Sequence, residues 1–188
     1  RKRDDRAVAR ALMNLAVMAI NAQQYGEALQ LSERAIAVRR RLGERVGLAW
    51  IITNLAELRL RLGLIDEAEQ AVLFGRSTLS AGDGGGRGAR FSLVRAGVLL
   101  ARGDTLGAAR EIAAAHAQGP TAATTRELAE LAVRVALADG DVARAEAQLA
   151  IVTAAANTHV ALAAAAVLRL DLARAKGDPD AAALVREA

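Results

Sequence analysis

Apolar residues along this chain return every three to four positions, the spacing of one face of an α-helix, rather than every second position as in a half-buried strand. Helix-periodic segments of about four turns run from Asp5 to Ala22, Arg45 to Leu62, Ala89 to Arg102, Thr124 to Ala138 and His159 to Lys176. Each is followed by a second segment: Tyr25 to Leu42, Ile65 to Ser80, Thr105 to Gln118, Val142 to Asn157, and a shorter Pro179 to Ala188. The pattern predicts helices in antiparallel pairs, five pairs in all, and an all-α fold.

The breaks within the pairs share one phase. Ala28, Ala68, Ala108, Ala145 and Ala182 stand 40, 40, 37 and 37 residues apart, and five residues before each stands Gln23, Gly63, Gly103, Gly140 or Gly177. A glycine just past a helix end adopts the left-handed conformation that a side chain resists. Asp104, Asp141 and Asp178 follow three of these glycines, where a carboxylate can accept from the free amides of the next helix. Pro179 then falls at a first helical position, which suits proline. The recurring alanine is expected to be small because two helices approach closely there. Thr124 with Glu127 reads as a capping box that starts one of the helices.

Composition narrows the picture. Hydrophobic residues make up 53% of the 188, yet aromatics are 2% and proline occurs twice, a balance that suits Ala- and Leu-mediated helix packing. With no cysteine, disulfides and thiolate sites are excluded, and His116 and His159 are too isolated to suggest a metal site. The longest apolar run, Val160 to Leu168, is about half of what a membrane span needs. The basic start Arg1-Lys2-Arg3 leads into Asp4-Asp5 rather than an apolar signal core, so a cytoplasmic location is the expectation. The start without methionine and the stop inside a helical segment read as a piece of a larger polypeptide. Lys2 and Lys176 are the only lysines beside many arginines, a high-GC bacterial composition.

The net charge of +4 is uneven: residues 1–62 hold 12 Lys/Arg against 6 Asp/Glu. Its densest part is Arg39-Arg40-Arg41, with Arg34 and Arg45 near. No aromatic residues interleave to stack on bases, and cations at a helix end complement the helix dipole. Nucleic acid is therefore not an expected partner. Gly82 to Gly88 lacks the Lys-Ser/Thr of a phosphate loop and reads as an inter-repeat linker.

The repeat resembles the tetratricopeptide repeat family. The residues that carry the resemblance are Asn14-Leu15-Ala16, Tyr25-Gly26-Glu27-Ala28-Leu29 and Glu33-Arg34-Ala35 in the first unit, and Asn54-Leu55-Ala56 with Asp66-Glu67-Ala68 in the second. Ala16, Ala56 and Ala96 fill the family's small-residue slot, and Pro120 falls at its terminal proline phase. Val133 and Leu170 depart from that slot, and the family's aromatic landmarks are absent. The period of about 40 residues resembles the longer repeats of kinesin light chain and of bacterial signalling regulators.

The resemblance implies a right-handed α-solenoid, with its first helices lining a concave face that binds a protein or peptide. On that face it places Arg10, Met13, Asn14, Val17 and Asn21, then Trp50, Thr53, Asn54, Glu57 and Arg61, then Arg90, Leu93, Glu127, Glu130, Arg134, Asp171 and Arg174. Asn14 and Asn54 share a phase, and a side-chain amide both donates to and accepts from a peptide backbone. Val94 and Leu131 follow them in phase, so no longer ladder is expected. Trp50 is an interface anchor or, the reading preferred here, packs beneath the preceding hairpin. The carboxylate clamp of chaperone-binding relatives is not matched, since Met13, Val17 and Val94 stand in its slots and only Asn54 and Arg90 agree. Glu127 and Glu130 with Arg134 read as a salt-bridged face rather than acid/base catalysts.

No catalytic set, cofactor, metal, membrane or small-molecule substrate is expected. The leading expectation is a protein- or peptide-binding scaffold from a bacterial regulator, such as a kinase or ATPase-type activator. The alternative is homo-oligomerisation through an end face, motivated by Ala161 to Ala166 and Leu168.

Overall fold

A computed structural model describes residues 2–79, 86–179 and 181. Among them lie nine α-helices and no strand: α1 Lys2–Asn21, α2 Tyr25–Leu42, α3 Arg45–Arg61, α4 Ile65–Thr78, α5 Arg87–Ala101, α6 Thr105–Ala117, α7 Ala122–Ala138, α8 Val142–Ala154 and α9 His159–Ala175. The expected closing helix from Pro179 falls mostly outside the described residues, as does most of the glycine-rich segment.

The turns form as their chemistry requires. Gly63, Gly103, Gly140 and Gly177 all have φ between 72° and 79°, and Gln23, in the same slot, is forced to φ 59°. Each amide of Asp104 and Asp141 closes back onto the helix just ended, and each carboxylate caps the helix that follows. Asp104 accepts from Gly107 at 2.8 Å and Asp141 from Arg144 at 3.0 Å.

The capping box at Thr124 is not what starts α7. Thr121 is the cap, accepting from the Thr124 amide at 3.2 Å, and Thr124 itself is buried beneath the Thr121 hydroxyl. Thr121 itself is extended, at φ −68° and ψ 162°, and the helix begins at Ala122, earlier than the hydrophobic period shows. The presumed linker is likewise shorter: Gly86, left-handed at φ 79°, caps α5, and Arg87 and Gly88 are already helical.

Four apolar cores follow one another, and each draws on three helices. The first joins Ala9, Leu12, Ala16 and Ala19 of α1 with Ala28, Leu31, Ala35 and Val38 of α2, closed by Ile51 and Leu58 of α3. The second joins α3 and α4 to Phe91 and Val94 of α5, the third α5 and α6 to Leu128 and Val135 of α7, and the fourth α7 and α8 to Leu168 and Leu172 of α9. Every hairpin is therefore finished by the first helix of the next, the nearest-neighbour rule of a solenoid. Ala28, Ala68, Ala108 and Ala145 are fully buried, as two close helices demand. At the second junction Phe91 packs against Gly75, where an added Cβ would stand 2.3 Å from the ring.

The backbones of first helices approach in series, α3 to α5, α5 to α7 and α7 to α9, while successive second helices reach one another through long side chains such as Arg40 and Arg76. A layer whose members touch is the inner one, so α3, α5, α7 and α9 form the concave wall of a helical-repeat solenoid.

Candidate functional site

The concave wall carries two adjoining grooves. One, of about 410 Å³, is lined by Trp50, Thr53 and Asn54 of α3, by Gly86, Arg87 and Arg90 around the start of α5, and by Thr121 and Thr124. The other, of about 430 Å³, has Glu57, Leu60 and Arg61 of α3, Leu93, Val94, Gly97 and Leu100 of α5, and Glu127, Glu130, Leu131 and Arg134 of α7. Its floor is aliphatic and its rim charged.

A single guanidinium divides them. Arg90 donates to Glu57 on α3 at 2.6 Å and to Glu127 on α7, so it ties three successive first helices together. Arg61 reaches Glu57 from the rim at 2.8 Å, one helical turn away. Burial pulls the Arg90 pKa down, but the charges of Glu57 and Glu127 outweigh it and hold Arg90 protonated. Burial pushes the Glu127 carboxyl above its ordinary value; the Arg90 charge opposes this, and the Glu57 charge adds to it.

Trp50 does not pack beneath the preceding hairpin. It is 41% exposed, because its position on α3 turns it into the groove while Ile51 and Ile52 beside it take the core. Thr53 lines the groove but spends its hydroxyl on the Ala49 carbonyl one turn back, at 2.9 Å. Asn54 is half-buried in the same groove. Arg10, Asn14, Val17 and Asn21 lie exposed on α1, and Met13 leans into the first core. The structure thus brings Trp50, Asn54, Glu57, Arg61, Arg90, Leu93, Glu127, Glu130 and Arg134 onto one wall and leaves the α1 residues beyond it. Glu130 pairs with Arg126 at 3.4 Å and Glu127 with Arg90, so the helix-spaced pairing with Arg134 gives way to contacts across and along the wall. Asp171 and Arg174 face each other on α9 at 3.8 Å.

Leu60, Gly97 and Leu100 were not singled out in the sequence, and Leu131 was named there only as ending the asparagine phase. Gly97 stands in the phase of Val17, Glu57 and Arg134, so the repeat itself marked it as inward-facing. Arg87 and Thr121 escaped because the starts of α5 and α7 lie upstream of the periodic segments.

The arginine run disperses. Arg39 turns to Glu44, which also takes Arg6, and Arg40 lies 4.5 Å over the Phe74 ring. A second ion cluster lies away from the grooves: Arg76 donates to Glu111 at 2.5 Å and to the Ser92 hydroxyl at 2.7 Å, and Arg95 donates to Glu111 at 2.8 Å. Burial raises the Glu111 pKa, but the Arg76 hydrogen bond and the arginine charges win and hold it below the usual carboxylate range. Among the described residues no cluster of acidic residues, His or Cys could hold a metal, and no helix is long and apolar enough to cross a membrane.

Residues 7–72, from α1 into α4, match the family model of the tetratricopeptide repeat. Over these residues the chain is similar to the tetratricopeptide repeat, and the helix–turn–helix unit with its left-handed turn recurs in α5 to α8. Such repeats generally mediate protein–protein interaction and are typically non-catalytic. No curated protein matches the chain.

Proposed function

We propose that this array is a non-catalytic scaffold that binds a peptide segment of a partner protein along the wall formed by α3, α5 and α7. The observation that carries this is the pairing of an exposed Trp50 with an aliphatic-floored groove on the same face, joined across Arg90. A rigid aromatic anchor beside a concave apolar floor with a charged rim suits a peptide that inserts one apolar side chain and lays polar groups along Asn54 and Arg61. The arginine-rich composition and repeat length favour a cytoplasmic bacterial regulator as its setting.

The test is selection of random-sequence peptides on the immobilised chain, followed by affinity measurement on variants. Binders that weaken at least about tenfold with Trp50→Ala and with Leu93→Arg, and are unmoved by Leu73→Ala on the outer helix α4, support the groove. Binders indifferent to both inner substitutions would overturn it.

A further inference from the structure

A third groove, of about 370 Å³, opens on the outer layer between α2 and α4. Its apolar part is Ile36 of α2, Ile52 and Leu55 of α3 and Ala71 of α4, and Arg40 and Phe74 stand on its rim. At the next junction the same place is filled. There Arg76, Ser92, Arg95 and Glu111 form the ion cluster that joins α4 to α6. Ala28, Ala68 and Ala108 stand 40 residues apart, so the counterparts of those four one unit earlier are Ile36, Ile52, Leu55 and Ala71. All four line the groove. Where an arginine and a glutamate close one gap between outer helices, an isoleucine and an alanine are too small to fill the other, which stays open with apolar walls.

The cations beside this opening are uncompensated. The Arg40 guanidinium lies 4.5 Å over the Phe74 ring, a contact that uses the face of the group and leaves its N–H edge free for a carboxylate. Arg34 and Arg41 stand three residues before and four residues after Ala37, which lines the groove, and so on adjoining turns of α2. Among the described residues no carboxylate pairs with Arg34, Arg40 or Arg41. Glu33, the carboxylate on the rim, already holds Arg59 at 3.3 Å. On the inner wall, by contrast, Arg61, Arg90 and Arg126 each meet a glutamate.

We infer that this outer groove docks an acidic segment of a partner protein. The segment seats an apolar side chain over Ile52 and Leu55 and sets Asp or Glu side chains against Arg40 and against Arg34 or Arg41. Nucleic acid suits the groove less well, because bases stack on open aromatic faces and Phe74 already has Arg40 over it. The site is separate from the wall of α3, α5 and α7 and does not depend on a peptide binding there. The end face expected around Ala161 to Ala166 and Leu168 is largely core, with Ala161, Ala165 and Leu168 buried.

Selection of random-sequence peptides on the variant Trp50→Ala with Leu93→Arg, which disables the inner groove, tests the outer one separately. The selected peptides carry acidic residues flanking an apolar one. Their affinity falls at least about tenfold with Arg40→Glu, with Arg34→Glu plus Arg41→Glu, and with serine in place of the peptide's apolar residue, helicity of the chain being unchanged. Arg110→Glu on the outer helix α6 makes the same change in net charge as Arg40→Glu and leaves affinity unmoved. Selection that yields no acidic peptide overturns the inference, as do acidic peptides whose affinity survives Arg40→Glu or falls equally with Arg110→Glu. A single-stranded oligonucleotide that binds through Arg40 more tightly than any selected peptide also overturns it.

Discussion

Two single residues store the clearest local cost in this fold. Gln23 occupies the left-handed turn position that glycine holds in four later turns, and a side chain there is strained. Gln23→Gly is expected to raise stability by about 0.5–1 kcal/mol, less the extra freedom glycine has when unfolded, measurable as a higher urea midpoint with unchanged slope. Gly75 has the opposite constraint, since a Cβ would meet the Phe91 ring at 2.3 Å. Gly75→Ala should cost about 1–3 kcal/mol, and adding Phe91→Leu should return part of it. Glu111 provides a pH signature. Its folded pKa lies below the ordinary value, so its contribution is present above the usual carboxylate range and is lost as pH falls through the depressed value. Glu111→Gln should flatten that acid-side loss in a melting series across pH and cost about 1–3 kcal/mol at neutral pH. Glu127 has the reverse sign: its folded pKa is raised, so it weakens the fold as pH climbs past the ordinary carboxylate value.

At the scale of elements, much was legible in the amino-acid sequence because glycine, aspartate and the 3.6-residue period are local signals. Gly63, Gly103 and Gly140 marked three turns, and Asp104 and Asp141 marked the caps that follow two of them. Asp104→Ala and Asp141→Ala should each cost about 1 kcal/mol and add in the double variant, since α6 and α8 share no core; chemical denaturation of the three variants checks this. Starts set by uncharged or backbone chemistry were missed. Thr121 caps α7 and Gly86 caps α5, and neither stands out against a polar or glycine-rich stretch. The site was less legible than the fold. The family resemblance put Glu127 on the inner face, and Trp50 too although packing was the preferred reading for it, but which arginine each glutamate takes depends on how far apart adjacent helices sit. Arg90 reaches across to both neighbours, and no spacing within one helix reports that.

Taken whole, the molecule is a row of three-helix cores, each sharing a helix with the next. Contacts are local in sequence, so opening is expected to begin at the ends. Hydrogen exchange followed by mass spectrometry should find the slowest amides in α3 to α7 and the fastest in α1 and α9, and uniform protection along the chain would contradict this.

The guanidinium of Arg90 has a mechanical meaning as well. Shared between carboxylates on the helices before and after its own, it acts as a clasp on the inside of a bend, and its hold is electrostatic. The array is then a spring whose middle coils are held tighter than its ends. Salt softens a spring of that kind: the radius of gyration by small-angle scattering should grow with ionic strength, and Arg90→Met should reduce the dependence while leaving the helices intact.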